Sequence, residues 1–66
     1  MSEDQMRMLL DVMVLMRDMM ESMKGMTVDP TTQHKMDQMM SKMDELMIRH
    51  RAMMKEHGMT VPPVLH

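Results

Sequence analysis

The sequence predicts an all-α fold: an antiparallel helical hairpin that dimerises into a four-helix bundle. Three observations carry this. Two stretches repeat apolar residues at alternating spacings of three and four, the period of a helix face. The segment between them is short, which makes the two helices antiparallel neighbours. The chain has 66 residues and no cysteine, so its core is small and disulfides are excluded. Self-association or a bound metal must then supply the missing stability.

Helix 1 is expected over about residues 3–24. Ser2 and Gln5 have capping-box spacing, and Glu3 and Asp4 suit the positive end of the helix dipole. The seam reads Met6, Leu9, Met13, Met16, Met20, Met23, flanked by Val12, Met19 and Met26. Lys24 followed by Gly25 reads as a left-handed stop. Helix 2 is expected over about residues 30–57, opened by Asp29 as N-cap and Pro30 as first helical residue. Its seam is Met36, Met39, Met43, Leu46, His50, Met53 and His57, flanked by Met40, Met47 and Met54. A seam with a flank is too wide for one antiparallel partner, so the flanks should be buried between two hairpins of a homodimer.

A repeat supports the two stops. "GMTVDP" at Gly25 returns as "GMTVPP" at Gly58, an offset of 33 residues. In both copies the Met after the Gly is placed to fold back on the last helical turn. The tail, residues 59–66, contains Pro62-Pro63 and is expected to be extended. The whole chain, 1–66, reads as a single domain.

Composition excludes several function classes. Net charge is −2, with 8 basic and 10 acidic residues interspersed, so no basic stripe is available to neutralise phosphates. The longest wholly apolar run is Val12 to Met16, far short of a membrane span. No HExxH, CxxC or calcium-loop spacing occurs, nor a phosphate loop or a Ser/His/Asp set, and the chain is read as a non-enzyme. The acidic start "MSEDQ" is unlike a secretory signal. The expectation is a cytoplasmic chain, or an extracytoplasmic mature form whose leader has been removed. Asp37, Asp44, Glu45 and Glu56 read as partners for Lys and Arg on solvated faces, and His34 as exposed.

Methionine is the one extreme feature: 17 residues, in a chain with no aromatic side chain. The stretch "MDQMMSKMDELMIRHRAMMKEH", Met36 to His57, shows the pattern at its densest. Core filling is the ordinary role of an apolar residue at a seam. Yet Met is flexible and specifies a core poorly, so its excess over leucine points to thioether chemistry. A thioether is a soft ligand that selects Cu(I) and, by the same softness, Ag(I). Residues three or four apart share a helix face and converge on one ion. Met16/Met19, Met16/Met20, Met19/Met23, Met36/Met39, Met36/Met40, Met39/Met43 and Met43/Met47 all have that spacing. His50 and His57 stand at the same spacings from Met47, Met53 and Met54, and neutral imidazole suits copper.

Helix counting across the short linker makes facing residue numbers sum to about 56. Met20 then faces Met36, Met16 faces Met39 and Met40, Met13 faces Met43, and Met6 faces His50. The turn half becomes a thioether cluster and the open end a mixed Met/His cluster. The candidate metal ligands are therefore Met13, Met16, Met19, Met20, Met23, Met36, Met39, Met40, Met43, Met47, His50, Met53, Met54 and His57.

Runs such as "MDQMMSKM" and "LMRDMMESMKGM" resemble the Met-rich segments of bacterial periplasmic copper(I)- and silver(I)-binding proteins. The likeness is compositional and covers about residues 6–59. It implies storage, buffering or delivery of Cu(I) or Ag(I), an extracytoplasmic location, and a copper-export or copper-delivery partner. It assigns no particular site. Many such segments are flexible with short repeats, whereas this chain reads as helical. The alternative expectation is a Met-rich interaction module whose adaptable surface moulds around apolar partner helices.

Overall fold

The structure, a computed structural model, describes residues 1–61. It is all-helical, with two elements, α1 (Glu3–Met26) and α2 (Pro30–Glu56), packed as a hairpin of 43 × 21 × 15 Å. The α1 start is the expected capping box. The Gln5 N–H donates to Ser2 Oγ (3.2 Å), and the Ser2 N–H donates to Gln5 Oε1 (2.9 Å). Asp29 caps α2, accepting from the Thr31 N–H (3.2 Å) and the Thr32 hydroxyl (2.6 Å). The linker is only Thr27–Asp29, pinned by the Gln33 amide donating to the Thr27 carbonyl (2.7 Å).

The two glycine stops behave differently. Gly58 adopts φ 74°, the left-handed conformation expected of it. Its N–H donates to the Lys55 carbonyl (2.9 Å), and the Met59 N–H donates to the Met54 carbonyl (3.1 Å). Met59 folds back and is buried against Met6, Leu10, Met47 and Met54. Gly25 is not a stop. It has no positive φ, and α1 runs through it to Met26, which is 78% exposed and does not fold back. The reason is local. The open end offers Met59 an apolar pocket, whereas at the turn α2 begins within three residues and leaves Met26 nothing to cover it.

The contact line is also rotated from the expected seam. On α1 it follows Met6, Leu10, Met13, Arg17, Met20 and Lys24; on α2 it follows Gln33, Met36, Met40, Met43, Met47, His50 and Met54. Met40, Met47 and Met54, expected as a flank, thus face the hairpin partner, while Met16, Met23, Met39 and Leu46 turn outward. Two polar features fix this rotation. Arg17 and Lys24 extend across the interface to Asp44 and Asp37 as ion pairs, with Arg17 also bonded to Glu21 (3.0 Å). The Asp44 hydrogen bond foremost, then the Asp44 charge and Glu21, raises the Arg17 pKa against its partial burial. At the other end His50 donates from Nε2 to the Met6 carbonyl (2.6 Å). Counting apolar positions alone could not weigh cations that use their stems as seam residues.

The buried core therefore lies at the open end: Met6, Leu10, Met47, Met54 and Met59, with Met13, Val14, Met43, Met53 and Val61 packed against it. Arg7 adds a bond to the Thr60 carbonyl (3.4 Å). The Met59–Val61 part of the expected extended tail is thus anchored on the core. Pro62-Pro63 and the rest of the tail lie outside the described residues. No helix among the described residues is long and apolar enough to cross a membrane.

Candidate functional site

The rotated contact line divides the candidate ligands into two sets. At the open end, Met47, Met54 and His50 are buried, and Met13, Met43 and Met53 are half-buried around them. Met54 is fully enclosed, 0% exposed. Met6 and Met59 join this set. Sequence counting places Met6 only opposite His50 and Met59 only in a cap, and neither is among the ligands it names. The glycine-then-Met repeat was the signal that could have found Met59.

The two candidate imidazoles have each committed one nitrogen. His50 meets Met6 as counting expects, but it is the backbone carbonyl that receives its Nε2–H (2.6 Å). Only Nδ1 is left to bind anything else. His57 is exposed at the end of α2 and donates from Nδ1 to the Met53 carbonyl (2.8 Å), leaving Nε2 turned away from that bond. Each bond selects a tautomer, as a second partner does for many imidazole ligands.

The second set lies on an outward face of the hairpin, most of it open to solvent. On α1 the outward residues Leu9, Val12, Met16, Met19 and Met23 stand one position before the contact line, and Met26 continues the stripe at the helix end. On α2 the matching positions are Met39, Leu46 and Met53, interleaved with Lys35, Lys42 and Arg49. One residue turns a helix by about 100°, and in antiparallel helices a rotation of the same sense reaches the same side of the pair. The two stripes therefore share one face of the hairpin. The ion pairs Arg17–Asp44 and Lys24–Asp37 run along the opposite edge, since Asp44 and Asp37 stand one position after the contact line.

In the turn half the α1 side of this face is almost purely thioether, and on α2 Met39 stands between Lys35 and Lys42. Met16 (47%), Met19 (55%), Met23 (48%) and Met39 (49%) are exposed, beside half-buried Met20, Met36, Met40 and Met43. Met16, Met19 and Met23 follow each other at three and four residues along α1, the spacing that brings side chains together on a helix. Exposed methionines would ordinarily be costly. Here nothing in the hairpin covers them, and no charged residue stands among the three on α1.

Other surface features are plain. A shallow depression on the outer side of α2, lined by His34, Asp37, Gln38, Ser41, Lys42 and Glu45, is open and polar. Among the described residues no three His, Asp or Glu side chains gather to hold a metal ion. A site of three or more ligands among them would thus have to include sulfur. No protein-family model, curated protein or solved structure matches this chain.

Proposed function

We propose that the chain binds Cu(I), and Ag(I) by the same softness, through the thioethers of its open face, in storage, buffering or delivery of the ion. The observation that supports this reading is the exposure of Met16, Met19, Met23 and Met39 on one side of the turn half. Core packing accounts for Met6, Met47, Met54 and Met59. It does not account for methionines that remain in solvent, where a polar residue would cost nothing. A soft ion explains both the residue type and its accessibility: thioether sulfur selects Cu(I), and an open face lets the ion enter and leave.

Thioethers also need no deprotonation to bind, unlike thiols and imidazoles. Sites built on this face should therefore hold Cu(I) in acid. Self-association belongs to the same reading, since a homodimer would cover the exposed face in a four-helix bundle.

The test is an anaerobic Cu(I) titration against a competing chelator, comparing wild type with Met16, Met19, Met23 and Met39 all changed to Leu. Leu conserves apolar volume, so the helices should persist in circular dichroism. The variant should lose the tight sites. Equal affinity and stoichiometry in both proteins would refute the reading. The same exposed face also suits an apolar partner helix, and an apo protein that captures helical peptides but no Cu(I) would select that second reading.

A further inference from the structure

We infer that the soft-metal site is completed by a second copy of this chain, docked with α1 of one hairpin over α2 of the other and with both turns at the same end. This rests on the Cu(I) reading above and adds where the ligands come from. Within one hairpin the two open stripes point out of the plane side by side. Their helix axes stand about 8–10 Å apart, so Met39 on α2 does not converge with Met16, Met19 and Met23 on α1 as facing residues would. A copy stacked on this face supplies the missing side.

Three features select a second copy and its orientation. The face has the outline of the hairpin, 43 × 21 Å, room for the roughly 800 Å² per partner of a standard interface. Its rims differ. On α1 the outer row is apolar, Val12, Met19 and Met26; on α2 it is basic, Lys35, Lys42 and Arg49, spaced by seven. Stacking α2 on α2 would set these cations against each other. Stacking α1 on α2 lays the lysine and arginine stems over the apolar row with their charges in water. Finally, a two-fold axis parallel to the helices produces this stacking with every neighbour antiparallel. Facing numbers then sum to about 58, midway between the His50–Met6 contact and the two ion pairs across the hairpin. Val12 meets Leu46 of the other copy, and Met19 meets Met39, with Met16 and Met23 one turn to either side. The two turn-half thioether sets are brought into one layer, so metal binding and pairing become one linked event.

Charge complementation tests the pairing with Cu(I) present. Val12→Lys and Leu46→Glu each place a charge on this face, at positions exposed in the single hairpin, so both variants should stay helical. Each alone should weaken Cu(I)-linked dimerisation in sedimentation by at least roughly tenfold, because the introduced charge replaces the apolar contact between Val12 and Leu46 and meets no opposite charge there. Mixing the two should restore a dimer containing one copy of each, since the introduced lysine of one then meets the introduced glutamate of the other. Restoration with Cu(I) bound supports the inference. A mixture no better than its components overturns this pairing, as does wild type that binds Cu(I) as a monomer, and in both cases the soft-metal reading stands. Wild type that binds no Cu(I) overturns that reading, and this inference with it.

Discussion

Gly25 and Gly58 occupy equivalent places in the repeated sextet, and the fold uses only one of them as a left-handed cap. Gly58 sits at φ 74°, whereas Gly25 is an ordinary helical residue with open space where a Cβ would go. Gly25→Ala should therefore stabilise the hairpin by about 0.5–1 kcal/mol through helix propensity. Gly58→Ala should cost about 1–2 kcal/mol, since an L side chain is strained in that conformation. Thermal unfolding of the two variants checks the contrast; equal effects would mean that both glycines are caps or neither is. Asp29 offers a second residue-scale test. The Thr32 hydroxyl first, then the Thr31 N–H, holds its carboxyl below the ordinary value of 3.8. A depressed carboxyl stabilises the fold fully above that value, and the contribution disappears as the pH falls through the lower folded one. Asp29→Asn keeps a capping oxygen but loses the titration. The stability gap between wild type and Asp29→Asn, measured by denaturant unfolding, should shrink below about pH 4.

At the scale of the helices, the rotated contact line is the feature to challenge. Met47 is buried and its neighbour Leu46 faces out, the reverse of the order expected from a simple heptad. Met47→Ala should cost about 2–5 kcal/mol, the range for a deleted core side chain. Leu46→Ala should cost clearly less in dilute protein, and comparable losses would restore the heptad seam. The N-caps and the hairpin were legible because N-capping chemistry is local: Ser2 with Gln5, and Asp29 with Pro30, need only their immediate neighbours. The rotation was not legible. It depends on Arg17 and Lys24 reaching Asp44 and Asp37 across the interface and on a histidine bonding a distant carbonyl. Apolar periodicity treats Arg17 as solvent-facing and Met16 as core, and the pairing of charges decides otherwise. The candidate site suffered the same limit. Methionine spacing identified the thioether pairs, but which of them face solvent depends on that rotation.

For the whole molecule, the division into a closed end and an open half carries the functional reading. The closed end packs Met6, Met47, Met54 and Met59 into a core. The turn half leaves five thioethers, Met16, Met19, Met23, Met26 and Met39, in solvent on one face. A hairpin this small gains stability from whatever covers that face, so a bound ion and a second copy should each raise the melting temperature. The most direct measurement is X-ray absorption of the Cu(I)-loaded protein at pH 5, beside the variant with Met16, Met19, Met23 and Met39 changed to Leu. The account predicts Cu(I) surrounded by sulfur scatterers, without imidazole, in the wild type, and no retained Cu(I) in the variant. Imidazole in the wild-type spectrum, or a variant that keeps its Cu(I), would contradict it.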